Sequence, residues 1–429
     1  MQDTEFYEAL LGLKDPWKVT KVELDPAATR VDVWIKDRSG VKWSCSECGK
    51  KASVYDHSEE RVWRHLNTCQ FGTYLHARLP RVKCPEHGVR QVSAPWAEPG
   101  GRSTLLYENW VIDTLKECDV TGANHLTGTS WYEAWNIMEK AVARGLCRKK
   151  SRVPEYLGID EKSFAKRHRY ETLVCDLING TVECVLEARS QDSLEGYYGQ
   201  FSMEELKGIK AIAMDMWDPY IAATKDLIPD AEGKIVFDRF HVTKQVTDAL
   251  DKVRRQEHKN LMANGEEWLK GTKHLWLMNE EKIPDWRKPE FDEIRKMKLK
   301  TGRAWAIKES LRHFWDYRYP KNAEKYFKRW YFWATHSRLK PMIKAAKTLK
   351  RHLTNILTYI KHRITNSVTE GLNSKIQTVK QMACGFRNRE HYRKAILFHC
   401  GGLDLYARPS SETGPSLDTT IYGMAHAKL

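Results

Sequence analysis

The sequence predicts a multidomain chain of mixed α+β and α/β class. Three observations predict it. The first hundred residues alternate apolar and polar positions in short runs and carry paired cysteines. Residues 153–244 read as three strands, then helix, strand, helix, strand. Residues 245–350 read as helical, charged and broken by prolines. A chain of 429 residues is also too long for one small core.

Composition narrows the class. Hydrophobic residues make up 41% and charged residues 30%, as in soluble globular proteins. No apolar run is long enough to span a bilayer, so no membrane partner is expected. The N-terminus, MQDTEFYEALLGLKD, places acids early and has no basic n-region, unlike a secretory signal. A cytoplasmic, reducing location is therefore expected, where ten cysteines serve as metal ligands or core thiols rather than disulfides. The net charge of +15 and a pI near 9.2 favour a polyanion, nucleic acid first. Residues 321–400 hold 18 Lys and Arg but only Glu324, Glu370 and Glu390 as acids, so this one segment carries the whole net charge.

Residues 1–100 read as a β-rich domain. WKVTKVEL and RVDVWIKD are strands joined by a DPAA turn. Cys45-x2-Cys48 and Cys84-x2-His87 each place two ligands on one knuckle, and two knuckles close a tetrahedron around one structural Zn²⁺. The strands between them then form a zinc ribbon. His57, His65, Cys69 and His76 compete with His87 for the fourth position. Residues 91–104 read as a linker. Residues 101–152 read as three short helices and a basic stretch. The Thr127-Gly128-Thr129 turn suggests a helix-turn-helix, and Ser130-x-x-Glu133 is a capping box opening its third helix. Trp131, Trp135, Ile137 and Met138 give that helix a buried side. Ser130, Arg148, Lys149 and Lys150 are candidate DNA contacts, against the plainer reading of a helical connector.

In residues 153–244 the element order is that of the first part of an RNase H-like mixed sheet. Its first and fourth strands lie side by side, so Asp160 (EYLGID) and Asp215 (IKAIAMD) would meet at the same level. Gly158, Ala211 and Ala213, on the same faces, leave room for an ion and a substrate. Paired carboxylates need a cation between them, and hard oxygen ligands select Mg²⁺ or Mn²⁺. Asp218 and Asp238 are competing acids, and strand-end aspartates are common without any function. The second part of the core, residues 351–402, offers a third acid. On a helix from Asn366, the residues Asn366, Glu370, Asn373 and Gln377 fall within about 60° of one another, and Val368, Leu372, Ile376 and Val379 form a separate apolar stripe. Glu370 can thus face the sheet edge. Alternatively, Ser367-x-x-Glu370 is itself a capping box and the glutamate serves the helix start.

The phrases CSECG, GIDEKSFAKRHRY, AMDMWDPY, IVFDRFHV and NSVTEGLNSKIQTVKQMACGFRN, in this order, carry a resemblance over residues 40–400. The chain resembles the DDE transposases of bacterial insertion sequences in the ISL-three family. The resemblance implies a catalytic triad of Asp160, Asp215 and Glu370, together with the zinc ribbon, the helix-turn-helix and the RNase H-like core. It also implies double-stranded DNA as partner, with terminal inverted repeats as the specific substrate, besides target DNA, and a circular element as intermediate. The C-x-x-H second knuckle departs from the more common second C-x-x-C. The chemistry implied is strand cleavage and transfer with two Mg²⁺ or Mn²⁺ ions per site. Two ends must be joined in concert, so a homodimer on DNA is expected, in a nucleoid-associated setting.

The expected catalytic helix also carries Asn373, Lys375 and Lys380, followed by Arg387 and Arg389, as candidate phosphate contacts or plain solvated charges. The 245–350 insertion holds a cluster of seven tryptophans, expected chiefly to pack between helices. The tail, 403–429, reads as flexible. Two rival functions remain at this level: a DNA-binding regulator with an inactive core, and an RNase H-like nuclease that cuts without joining.

Overall fold

The architecture, taken from a computed structural model, is described for residues 2–165 and 169–409. The chain forms two compact units. One comprises residues 1–150 with 381–385 and the segment from 403; the other comprises 151–380 with 386–402.

In the first unit, α1 (Asp3–Leu11) leads into β1 (Trp17–Asp25), β2 (Arg30–Asp37), β3 (Lys42–Ser44), β4 (Lys51–His57), β5 (Arg61–Thr68), β6 (Phe71–Ala77), β7 (Pro80–Cys84) and β8 (Gly88–Gln91). They form two sheets, ordered β1-β2-β6-β5 and β3-β4-β7-β8. The strands between the two cysteine pairs are therefore divided: β4 and β7 build the ribbon, while β5 and β6 join the other sheet. Alternation dictates the larger core, since β2 buries Val31, Val33 and Ile35 on one face. Trp96 meets Trp17 and Trp63 edge-on at 5.0 and 5.6 Å. The 91–104 segment is thus packed structure rather than a linker, because an indole and two alanines, Ala94 and Ala97, are buried from it.

Three helices follow: α2 (Leu105–Glu117), α3 (Val120–Thr127) and α4 (Trp131–Arg148). Thr104, Asp119 and Ser130 cap them in turn, and Ser130 and Glu133 make both bonds of the capping box. Gly128 closes α3 at φ 73°, a left-handed turn open to glycine. α4 buries Trp135, Ile137 and Met138, as its periodicity requires, but Trp131 is 42% exposed. At the first position of the helix it stacks on Trp135, with ring centroids 5.8 Å apart. Arg144 is buried against Glu98 (3.0 Å) and Glu108 (3.3 Å), and donates to the Leu405 carbonyl at 2.9 Å. The start of the expected flexible tail is therefore anchored. Leu405 and Ala407 are buried, and Asn109 and Ala407 exchange two hydrogen bonds. The rest of that tail, 410–429, lies outside the described residues.

The second unit begins with β9 (Tyr156–Ala165), β10 (Arg169–Asp176) and β11 (Thr181–Glu187), continues through α5 (Gln191–Tyr198) and α6 (Met203–Lys207) to β12 (Ala211–Met214), and then α7 (Asp218–Leu227), β13 (Ile235–Phe237) and α8 (Arg239–Ala263). The sheet order is β11-β10-β9-β12-β13. β9, β10 and β11 are antiparallel, and β12 is parallel to both β9 and β13. The fifth strand ends earlier than KIVFDRFHV suggests, because Asp238 caps α8 through the Phe240 amide. An insertion boundary at 245 falls inside that 25-residue helix. After it come α9 (Lys273–Leu277), α10 (Lys288–Lys296), α11 (Lys300–Arg312), α12 (Pro320–His336), α13 (Lys340–Arg351), α14 (Leu353–His362), α15 (Ser367–Met382) and α16 (Arg389–Cys400). Pro289, Pro320 and Pro341 sit in the first turns of their helices, where a missing N–H costs nothing. Trp276, Trp305, Trp315 and Trp330 are buried in the core; Trp268, Trp286 and Trp333 are exposed.

The two faces of the sheet differ. Leu157, Ile159, Val174, Ile212 and Met214 join the large core shared with the insertion. Phe164, Leu173, Cys175 and Val182 pack instead with Leu372, Ile376, Tyr392 and Ile396 of α15 and α16. α15 therefore lies on the face that carries Gly158 and Asp160.

Candidate active site and metal centre

The first site is made by two tight turns. Cys45 follows β3, Cys84 ends β7, and Gly49 and Gly88 take left-handed φ of 73° and 69° just after each pair. One ligand atom from each of Cys45, Cys48, Cys84 and His87 lies within 4.8 Å of the other three. Cys48 Sγ is 3.6 Å from Cys84 Sγ, which is 3.6 Å from His87 Nδ1. A tetrahedron with metal–sulfur bonds of about 2.3 Å has edges of about 3.8 Å, so the set fits a zinc ion. The His87 side chain lowers the Cys84 thiol to about 6, toward the thiolate a metal requires. The competing ligands are engaged elsewhere: His57 with Asp37 (2.9 Å), His65 with Thr104 (2.9 Å), and His76 with Asp32 (2.6 Å). Cys69 is exposed.

The second site lies in the five-stranded sheet. Gly158 and Ala213 are register partners on parallel β9 and β12, and Asp160 and Asp215 each stand two residues further on. Asp160 lies within β9 rather than at its end, since the strand continues to Ala165; Asp215 is the first residue past β12. A side chain on Gly158 would strike Thr369 and, at 2.7 Å, Leu177, so the glycine is what lets α15 come down onto β9. Asn373 Nδ2 then donates to Asp160 Oδ2 at 2.6 Å, and Lys162 Nζ holds the Asn373 carbonyl at 2.8 Å.

Glu370 stands one turn before Asn373 and is exposed. The capping alternative does not fit: Ser367 is the first helical residue, so Glu370 is fourth, one place beyond the acid of a capping box. Its amide instead donates to the Asn366 carbonyl at 2.9 Å. Glu370 is not drawn tightly against the two aspartates, because among the described residues only the cysteine–histidine set gathers three or more ligand atoms within 4.8 Å.

His241, in the first turn of α8, was not marked by any sequence pattern. Its Nε2 lies 3.0 Å from Asp215 Oδ1, though not aligned as a hydrogen bond, and that buried oxygen accepts none. The only available signal was a histidine three residues after a strand-ending acid, in FDRFH. Burial raises Asp215 to about 6; His241 opposes the shift, and Asp160 and Asp238 add to it. Burial likewise raises Asp160. Glu161, pushed up to about 7 by burial, is held at 2.5 Å by Arg189, whose guanidinium lies over the Trp217 ring at 3.8 Å. A half-buried acidic pair with one buried, unsatisfied oxygen fits a hard divalent cation. Of the competing acids, Asp238 is the α8 cap and Asp218 is largely exposed.

The remaining candidate residues separate. Lys380 Nζ donates to the Ser163 and Phe164 carbonyls at 3.0 and 2.7 Å. Arg389 is tied to buried Glu171 (2.7 Å), the Tyr170 carbonyl (3.0 Å) and Glu187. These two are bound into the fold, whereas Lys375 and Arg387 are exposed. In the first unit, Ser130 is spent on the α4 cap and Arg148 on the Asp404 and Tyr406 carbonyls (3.3 and 2.6 Å). Lys150 is exposed and Lys149 half-buried.

Residues 157–396 match the ISL3 DDE family model, described as transposase. The chain belongs to the ISL3 (ISL-three) family of transposases. Residues 42–87 of the transposase match the zinc-finger of transposase IS204/IS1001/IS1096/IS1165, and residues 92–142 match the helix-turn-helix domain of transposase family ISL3. Relatives include the transposase for insertion sequence element IS1557 of Mycobacterium tuberculosis, 27% identical over 90% of this chain and 93% of the relative. The transposase for insertion sequence element IS1001 of Bordetella parapertussis is 26% identical over 91% and 97%. The transposase is thus a DNA-binding enzyme of strand cleavage and transfer, with a zinc ribbon and a helix-turn-helix. No helix among its described residues is long and apolar enough to cross a membrane.

Proposed function

We propose that Asp160, Asp215 and Glu370 are the DDE triad of an RNase H-like core and bind two Mg²⁺ or Mn²⁺ ions. The observation that carries this is the Gly158–Ala213 register, which supports two half-buried acids level on adjacent strands under the helix bearing Glu370. When bound, the ions would activate the attacking water or 3′-hydroxyl and stabilise the leaving 3′ oxygen. The side chains have separable tasks. Asp160 is oriented by Asn373. Asp215 is raised by burial, and the neighbouring His241 offsets part of that rise. Glu370, exposed on its helix, would supply the third carboxylate to the ions. Lys375, Arg387 and Lys150, all exposed, remain available to phosphates. The substrate is the terminal inverted repeats of its own element, joined to target DNA by a homodimer, with a circular intermediate, in the cytoplasm at the nucleoid.

The test is a strand-transfer assay on the element's own ends with Mg²⁺ or Mn²⁺, comparing Glu370→Gln with the unaltered protein. Joining should be lost and end binding retained. Joining at the unaltered rate removes Glu370 from the site. Cleavage of the ends without joining of pre-cut 3′-hydroxyl ends to a plasmid would make the core a nuclease.

A further inference from the structure

The helical insertion has two charge regimes. Between Gly265 and Asp316 ten Asp and Glu nearly balance twelve Lys and Arg, and half of those cations are ion-paired: Lys270 with Glu267, Lys288 with Asp285, Arg287 with Glu290, Arg295 with Glu280, Lys308 with Glu309, and Arg312 with Glu281 and Glu309. α13 is the opposite. Its sequence, KPMIKAAKTLKR, contains no acid. Met342, Ala345, Ala346 and Leu349 are buried, while Lys340, Lys344, Lys347 and Arg351 are exposed. Spaced by four, three and four residues, these cations fall within about 60° of one another and extend for about 16 Å along the helix. Among the described residues, no carboxylate lies within 4.0 Å of Lys340, Lys344 or Lys347, and Arg351 reaches only exposed Asp218, at 3.9 Å. With Ile343 and Thr348 the four line an open groove of about 670 Å³.

Like charges at this spacing repel and weaken a helix, so the stripe costs stability unless an anion lies along it. Its direction is informative. Arg351 meets Asp218, three residues beyond Asp215, and the next residue, His352, faces Phe237 edge-on at 5.3 Å, at the end of β13. The Arg351 end of the stripe therefore lies near the ends of β12 and β13, beside Asp215. A duplex presents one phosphate charge per about 1.7 Å of axis, so a stretch of this length offers about ten. No aromatic side chain belongs to the stripe, so the stacking platform that unpaired strands require is missing.

We propose that Lys340, Lys344, Lys347 and Arg351 form a track for the phosphate backbone of duplex DNA leading away from the cleavage site. The track adds a DNA surface in the insertion to those of the helix-turn-helix and zinc ribbon. That the track leads from the cleavage site rests on the triad reading, whereas the DNA contact itself is tested separately, since binding is measured without divalent ions.

The test uses the full chain and a duplex oligonucleotide of arbitrary sequence, titrated at several salt concentrations. The triple variant Lys340→Gln, Lys344→Gln, Lys347→Gln is compared with a control, Lys270→Gln, Lys288→Gln, Arg295→Gln, that loses the same formal charge from the nearly balanced region. Thermal melting checks that both are folded. Removing three phosphate contacts should lower the slope of log affinity against log salt by about 2.7, so that raising salt from about 50 to about 200 mM weakens the unaltered protein about 40-fold more than the variant. The control should keep the original slope, and a Lys→Arg triple at the α13 positions should restore it. An unchanged slope in the α13 variant overturns the proposal. So does an equal fall in the control, which would mark a diffuse charge effect. A loss confined to single-stranded DNA or RNA probes would overturn the duplex assignment.

Discussion

The zinc centre and the acidic site answer the same problem, gathering distant residues around an ion, in opposite ways. Three thiols and an imidazole already stand within 4.8 Å of one another, held by two glycine-closed turns on one small sheet. Neutral or weakly acidic ligands can be packed together before the metal arrives. In the acidic site as proposed, two of the three carboxylates are in place and the third, Glu370, is exposed on a helix. Carboxylates without a counter-ion repel, and burial adds a further cost, visible in the raised Asp160 and Asp215. The ligand set of the structural ion is preassembled by the fold, whereas the proposed catalytic acids are not gathered to the same degree.

The largest effect should come from breaking the preassembled site. Cys84→Ser should release zinc and open the ribbon, since structural zinc contributes roughly 10–16 kcal/mol in small zinc-finger peptides. Metal content by atomic spectroscopy should fall, and limited proteolysis should cut within residues 42–91. Retention of one zinc per chain would contradict the assigned ligand set. Next, Asp160→Ala or Asp215→Ala should reduce strand transfer roughly a thousandfold, with end binding kept. A smaller loss for Glu370→Ala than for either aspartate would place the exposed acid at the margin of the site.

Gly158→Ala sharpens the contrast, because it leaves every acid intact. The added methyl meets Thr369 and Leu177, so α15 must lift. Destabilisation of about 1–3 kcal/mol is expected in a denaturant titration, together with lost strand transfer. Full activity would show that the helix need not sit so close. The smallest effect is in the pH dependence of the metal-free protein. The folded pKa of Asp215, about 6, lies above the ordinary 3.8, so the folded state binds the extra proton between these values. Its contribution to stability therefore falls as pH rises from about 4 to about 6 and stays low above that. Asp215→Asn should flatten this slope, and Mg²⁺ should raise the melting temperature by a few degrees at pH 8 but not at pH 4. An identical Mg²⁺ effect at both pH values would count against a cation held by these acids.

Much of this was legible in the chain itself. Cysteine spacing identified the zinc pairs, alternation set the strands, and the Ser130 box located the start of α4. These features are local, and each is decided by residues a few positions apart. The helical spacing of Glu370 with Asn373 was legible too. What the sequence left open concerns contacts between distant segments. Whether His87 or His76 completed the zinc set depended on which sheet β6 joined. That Arg389 and Lys380 serve the fold rather than solvent depended on Glu171 and the carbonyls of β9. That Trp96 and Leu405 are packed, although their neighbours read as linker and tail, depended on the cores they reach. His241 became visible only when α8 brought it to Asp215. Local periodicity determines which face a residue presents. Only the tertiary structure decides what that face meets, because burial and charge pairing arise between segments that are far apart in the chain.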